Sequence, residues 1–260
     1  MPPEMSAEER RFPITVKDFL DETELHLKRG DVILSRSPNI FSWLIRRTTG
    51  SEFSHAAMVY LVAQPEKGYH SSFLLESTSL GVGIANFKSY IEGRSPAAEI
   101  AILRFKDTSL DDQYFRHVRG LLLDQIKSTY DYGIAIRIAL QTVFGIRLSF
   151  AKWRVGASRS MQDVMARTQQ RFKKWVPKEF ICSGYIQYGL VRAAIDLGID
   201  PVKVLLREDL TAHSGEALLA VTPEDVALSG KMQWLMVARR GWVYRAHDRA
   251  AALKIISGGR

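Results

Sequence analysis

The stretch WVPKEFICSGYIQYGL, residues 175 to 190, holds Cys182, the only cysteine of the 260-residue chain. A thiol is the most nucleophilic side chain available at neutral pH, so its setting decides whether it does chemistry. Cys182 shares a helical stripe with Ile186, Leu190, Ala193 and Leu197. That spacing fits a buried cysteine acting as a small hydrophobe. Its place in the first turn of the same helix fits the opposite reading. Unsatisfied amides and the positive end of the helix dipole favour a thiolate there. An ordinary thiol, with a pKa of about 8.5, is only a few per cent ionised at neutral pH, and a downward shift of about two units reverses that balance. Gly184, two residues on, would let a substrate backbone come close.

A cysteine nucleophile needs a base, and the base needs an orienting group. Of the six histidines, His26, His117 and His247 lie in charged surroundings and read as surface residues. His70 and His213 fall in loop-like sequence. His55 opens the apolar run SHAAMVYLV. It reads either as a base held at the mouth of a cleft or as a core-edge histidine bonded to a carbonyl. Glu76, in FLLEST on the following strand-like run, is the candidate orienting carboxylate. Its apolar flanks argue against simple solvation, although an edge strand could still turn it to water. Asp31 is the weaker alternative.

The elements that must position these residues follow from periodicity. Strands are predicted over Asp31–Ser35, Ser54–Val62, Ser71–Thr78, Ala98–Phe105 and the run KMQWLMVARR. Helices are predicted near the N-terminus, ending close to Gly30; over SPNIFSWLIRRTTG; after GVGIAN, itself read as loop; from a capping Ser109 onward; over DYGIAIRIALQTVFGI; and over CSGYIQYGLVRAAIDLG, stopping at Gly198. Successive strands without intervening helices predict an α+β fold around a central antiparallel sheet. Residues 147–178 are polar and strongly basic, and a helix is plausible within them.

The charged fraction is 25% and the net charge +8. Such a balance favours anionic surfaces and substrates, though a basic run is also an ordinary solvated helix face. Trp153 and Trp175 interleave with that charge, which suits a lipid interface or a docking face. No nucleic-acid recognition motif accompanies it, so specific nucleic-acid binding is not expected. One cysteine excludes an internal disulfide and a multi-cysteine metal site. The first residues lack the basic and apolar regions of a signal peptide, and no apolar run of about 18 residues occurs. A cytoplasmic location is expected, with secretion lacking a cleaved signal left open.

These motifs resemble a known superfamily. TYDYG (Thr129 to Gly133) with FICSGYIQYGL (Phe180 to Leu190), and SHAAMVYL, are similar to the tyrosine, cysteine and histidine blocks of NlpC-type papain-like amidases. Here the histidine precedes the cysteine, an order that resembles the circularly permuted branch, YiiX/YaeF-like proteins and lecithin-retinol-acyltransferase-like enzymes. GDVIL and TPEDVA suit the same branch. The resemblance spans roughly residues 29 to 238. It implies a permuted papain-like fold with the cysteine at a helix N-terminus, Cys182 as nucleophile, His55 as base and Glu76 as its orienting residue. Tyr130 and the Cys182 amide would line an oxyanion site, with Ser54, Ser183 and Gly184 on the substrate side. Ile181 departs from the usual aspartate, and about fifty residues separate the tyrosine and cysteine blocks.

The expected organisation is an N-terminal arm (1–28), a catalytic domain (29–240) with a basic helical insert (147–178), and a basic tail (241–260). The expected activity is cysteine-dependent cleavage of a peptide-type amide, cell-wall peptides included, or of an acyl ester, without metal or cofactor. An acyltransferase acting on lipid at a membrane surface, and a non-catalytic binding module on the same fold, are the alternatives.

Overall fold

The computed structural model describes residues 12–22, 26–62, 68–78, 80–92, 99–126, 128–130, 179–207 and 219–258. Its strands are β1 (Ile14–Thr15), β2 (Val32–Arg36), β3 (His55–Leu61), β4 (Phe73–Thr78), β5 (Gly81–Asn86), β6 (Glu99–Phe105), β7 (Thr129–Tyr130), β8 (Glu179–Phe180), β9 (Met232–Arg239) and β10 (Trp242–Arg245). Eight of them form one antiparallel sheet in the order β1-β10-β9-β6-β2-β3-β4-β5. The short strands β7 and β8 pair separately and in parallel, Tyr130 beside Phe180. The fold is therefore mixed α/β around a single antiparallel sheet.

The helices are α1 (Val16–Leu20), α2 (Ile40–Thr49), α3 (Phe87–Ile91), α4 (Asp112–Leu123), α5 (Cys182–Asp196), α6 (Pro223–Leu228) and α7 (Arg249–Ser257). Successive side chains on a strand face opposite ways, and both faces of this sheet are covered. Val32, Leu34, Ala56, Met58 and Leu103 pack with Tyr114, Val118, Tyr185, Ile186 and Leu190 of α4 and α5. Ile33, Ala57, Val59, Leu74 and Ile102 pack with Phe19, Leu20, Phe87 and Ile91 of α1 and α3. Burial on two faces explains why β2, β3 and β6 read as continuous apolar runs.

Several local expectations change. GVGIAN is strand β5, reached from β4 by a tight turn whose Gly81 has φ of 102°. The glycines that suggested a loop supply the turn and the edge strand. The helix after β6 is capped by Asp111, which accepts from the Tyr114 amide, and not by Ser109. The first helix ends at Leu20, well short of Gly30. Residues 12–20, expected within a polar arm, add β1 to the sheet edge and bury Phe19 and Leu20 completely. The expected basic tail likewise supplies β10 and α7, with Ala252 and Ile256 in the core. The β9–β10 turn places Arg240 and Gly241 at φ of 49° and 81°. Two-residue hairpins need positive φ, and Arg-Gly lacks the usual Asn-Gly signal. The helical candidate over 131–146 and the basic segment 147–178 lie outside the described residues. Among those described, no helix is long and apolar enough to cross a membrane.

If residues 12–20 belong to the core, Phe19→Ala should destabilise the protein by about 3–5 kcal/mol. Urea unfolding measures this, and a change within ±0.5 kcal/mol, typical of a surface site, would mark the segment as a dispensable arm.

Candidate active site

β2 ends and β3 begins at one end of the sheet, where Ser35 lies opposite His55. Across the other edge of β3, Ala57 pairs with Glu76 of β4. Alternation puts His55 on the same face as Ala57, so His55 and Glu76 are diagonal cross-strand neighbours. The imidazole Nε2 lies 2.9 Å from Glu76 Oε2. The same carboxylate oxygen accepts a hydrogen bond from the Tyr90 hydroxyl of α3. The Tyr90 ring centroid lies 6.2 Å from the imidazole, tilted by 34°. Gly83 stands opposite Glu76 on β5, and a Cβ there would meet nothing within 4 Å.

Cys182 comes from the other side of the sheet, as the first residue of α5. This helix is apolar nearly all round because it is buried nearly all round. Its few polar groups are fastened. Tyr185 donates to the Leu122 carbonyl at 2.6 Å, and the Tyr114 hydroxyl to the Leu190 carbonyl at 2.7 Å. Gln187 donates to Val204 and accepts from the Leu206 amide. These bonds lock the axial position of α5, and hence of its first residue. Ile181 occupies the N-cap position and makes no side-chain cap. The first amides of the helix are thereby left for the cysteine, and the Ser183 amide donates to its sulfur.

The sulfur also hydrogen-bonds the His55 ring and accepts from the Ala56 amide. Since Nε2 faces Glu76, Nδ1 faces the sulfur. Burial by itself would raise the Cys182 pKa, but the His55 charge and these hydrogen bonds overcome it and bring the thiol below its ordinary range. For His55, burial disfavours the cation, yet the thiolate and then Glu76 outweigh that and push the imidazole up to about 10. Opposite charges lend each other stability, so both shifts favour a thiolate–imidazolium pair. Cys182 is 5% exposed and the His55 side chain 20%, whereas Tyr185 and Ile186 behind them are at 0%. The sulfur is thus buried, and the imidazole beside it keeps a partial exposure.

Three expected substrate contacts are otherwise employed. Ser183 is fully buried and donates to the Val221 carbonyl at 2.5 Å. Gly184 faces protein, because a Cβ there would come within 2.1 Å of the Leu219 carbonyl oxygen. Ser54 accepts from the Ser42 hydroxyl at 2.7 Å, tying α2 to the start of β3. Asp31 lies at the far end of β2 and is held bidentately by Arg104 at 2.7 and 2.8 Å. His26, expected at the surface, is buried beside Arg245. The backbone of Tyr130 is placed next to Phe180, while its side chain lies outside what is described. Tyr90 was not anticipated. Its sequence context, FKSYI, carries no signal, since only the packing of α3 brings it to Glu76. Among the described residues, no group of three or more His, Cys, Asp or Glu side chains could hold a metal ion.

The chain matches no protein-family model and no curated protein. A solved structure similar to it is that of the metalloprotein yiiX from Escherichia coli O157:H7. The two are 15% identical with a TM-score of 0.40, over 81% of this chain and 97% of that one.

The pH midpoint of iodoacetamide alkylation of Cys182 should therefore lie below its ordinary value of about 8.5. The sign follows from the pair: the thiolate is lost only when acid reprotonates the sulfur. In His55→Ala the cation is gone and burial is opposed only by the Ala56 and Ser183 amides, so the midpoint should rise toward about 8.5 or above. An unchanged pH profile would show that the two groups do not interact.

Proposed function

We propose that this protein is a cysteine-dependent hydrolase that cleaves a peptide-type amide or an acyl ester through a thioester, on a permuted papain-like, NlpC-type framework. The observation that carries the reading is the line Glu76–His55–Cys182, with the sulfur at an uncapped helix start. Similar order of the histidine and cysteine blocks in the sequence supports the same framework.

In this reading the Cys182 thiolate attacks the substrate carbonyl carbon, and a carbon–sulfur bond forms as the carbonyl π pair moves to oxygen. The resulting oxyanion sits against the Cys182 amide at the start of α5, the site to which the sequence resemblance also assigns Tyr130. His55 passes its Nδ1 proton to the departing nitrogen or oxygen, and the tetrahedral species collapses to a thioester. A water molecule then loses a proton to His55 and attacks the thioester carbonyl, releasing the acid and restoring the ion pair. Glu76 holds the imidazole through Nε2 and stabilises its charge, and Tyr90 holds Glu76. Substrate enters beside Gly83, whose missing side chain leaves open space on β5.

Intact-mass measurement during turnover of a nitrophenyl acyl ester tests the proposal. An added acyl mass on Cys182 that disappears as product accumulates is expected. Cys182→Ala should abolish turnover, His55→Ala should lower kcat/KM by about 10²-fold or more, and Glu76→Gln by about tenfold or more. Rapid alkylation of Cys182 without acylation by any ester or peptide would favour a binding module instead.

A further inference from the structure

Helix α2 joins β2 to β3 and is tied to the residue before His55 by the Ser42–Ser54 hydrogen bond. Its outward stripe, at helical spacing, is Ile40, Trp43, Leu44 and Arg47. Ile40 is 76% exposed, Trp43 54% and Leu44 49%. Large apolar side chains standing out of one short helix are not the usual makeup of a solvated surface. Arg46 and Arg47 form the last turn, and no acidic residue occurs in the helix. Nearby Glu52 is engaged by Arg36 at 3.1 Å, and among the described residues Arg47 makes no ion pair.

A second apolar projection lies at the same end of the sheet. Ala57 pairs with Glu76, so continuing the antiparallel register brings Thr78 beside His55. The β4–β5 turn that follows carries Leu80, 98% exposed. Exposed apolar groups thus stand on both sides of the end where Cys182 meets His55, with basic charge on one flank.

We infer that α2 and the β4–β5 turn form a docking rim that seats this end of the protein on an anionic lipid bilayer. Tryptophan and aliphatic side chains enter the headgroup–acyl boundary, while Arg46 and Arg47 meet lipid phosphates. The rim then brings the end where Cys182 meets His55 to acyl esters of the lipids themselves. That last consequence rests on the nucleophile reading above, whereas the docking does not.

Vesicle flotation of the Cys182→Ser protein separates the two, since no turnover can occur. Binding to phosphatidylcholine vesicles containing phosphatidylserine is expected, with weaker binding to phosphatidylcholine alone and release by high salt. Trp43→Glu and Leu80→Glu should each lower the partition coefficient by about tenfold or more. Thermal unfolding and, in the Cys182 background, the alkylation rate check that these variants remain folded. Absence of binding to any vesicle overturns the inference. So does binding that both variants retain and that Lys173→Glu with Lys174→Glu abolishes, because the basic segment would then be the contact. Concentration-dependent dimerisation lost in Trp43→Glu, without vesicle binding, assigns the rim to a second copy and also overturns it. Vesicle binding without fatty-acid release by the cysteine-containing protein leaves the docking standing and removes the lipid ester as substrate.

Discussion

A thiolate and an imidazolium each carry a penalty of several kcal/mol when withdrawn from water, and the two are tolerated together only where geometry lets them neutralise one another. In this fold the pair sits with Glu76 beside the imidazole, and the Ser183 helix amide and the Ala56 strand amide beside the sulfur. Each neighbour favours the charged form of the group it touches. Removing the imidazole would leave the sulfur among apolar side chains with only two amides, and burial would then dominate its titration. The coupling between Cys182 and His55 is consequently the constraint to which the surrounding elements answer.

Those elements come from opposite faces of the sheet. The Glu76–His55–Tyr90 group lies on the face covered by α1 and α3, while Cys182 leads the helix that covers the other face. They can meet only at a strand end, where β3 begins. This explains the stiffness built around that corner. Ser42 ties α2 to Ser54. The Arg36, Glu52, Glu99 and Arg239 charges brace the neighbouring ends of β2, β6 and β9. A capping box from Thr222 to Asp225 starts α6, whose Glu224 carboxylate accepts from the Glu52 amide.

The short Ser183 and Gly184 pair shows how a motif can mislead about role while pointing to the right place. Small residues after the cysteine look suited to substrate contact. Their actual partners are the Val221 and Leu219 carbonyls, which allow the segment after residue 218 to lie tightly against α5. The smallness serves packing of the helix that aims the sulfur. Ser54 is the same kind of case, fastening the histidine strand from behind.

Local periodicity by itself determined that Cys182 starts a helix, that His55 opens a strand and that Glu76 lies on the next one, because period-2 and helical spacing are properties of neighbouring residues. It also determined an antiparallel sheet, from strands that follow one another directly. The edge strands β1 and β5, and β10 next to β1, escaped it. They are short or glycine-rich, and their pairing depends on partners distant in the chain. Only the tertiary structure decided that Tyr90 reaches Glu76, that Asp31 belongs to Arg104, and that the sulfur and imidazole meet. Side-chain meetings of this kind are set by the relative placement of separate elements, which no single stretch of sequence encodes.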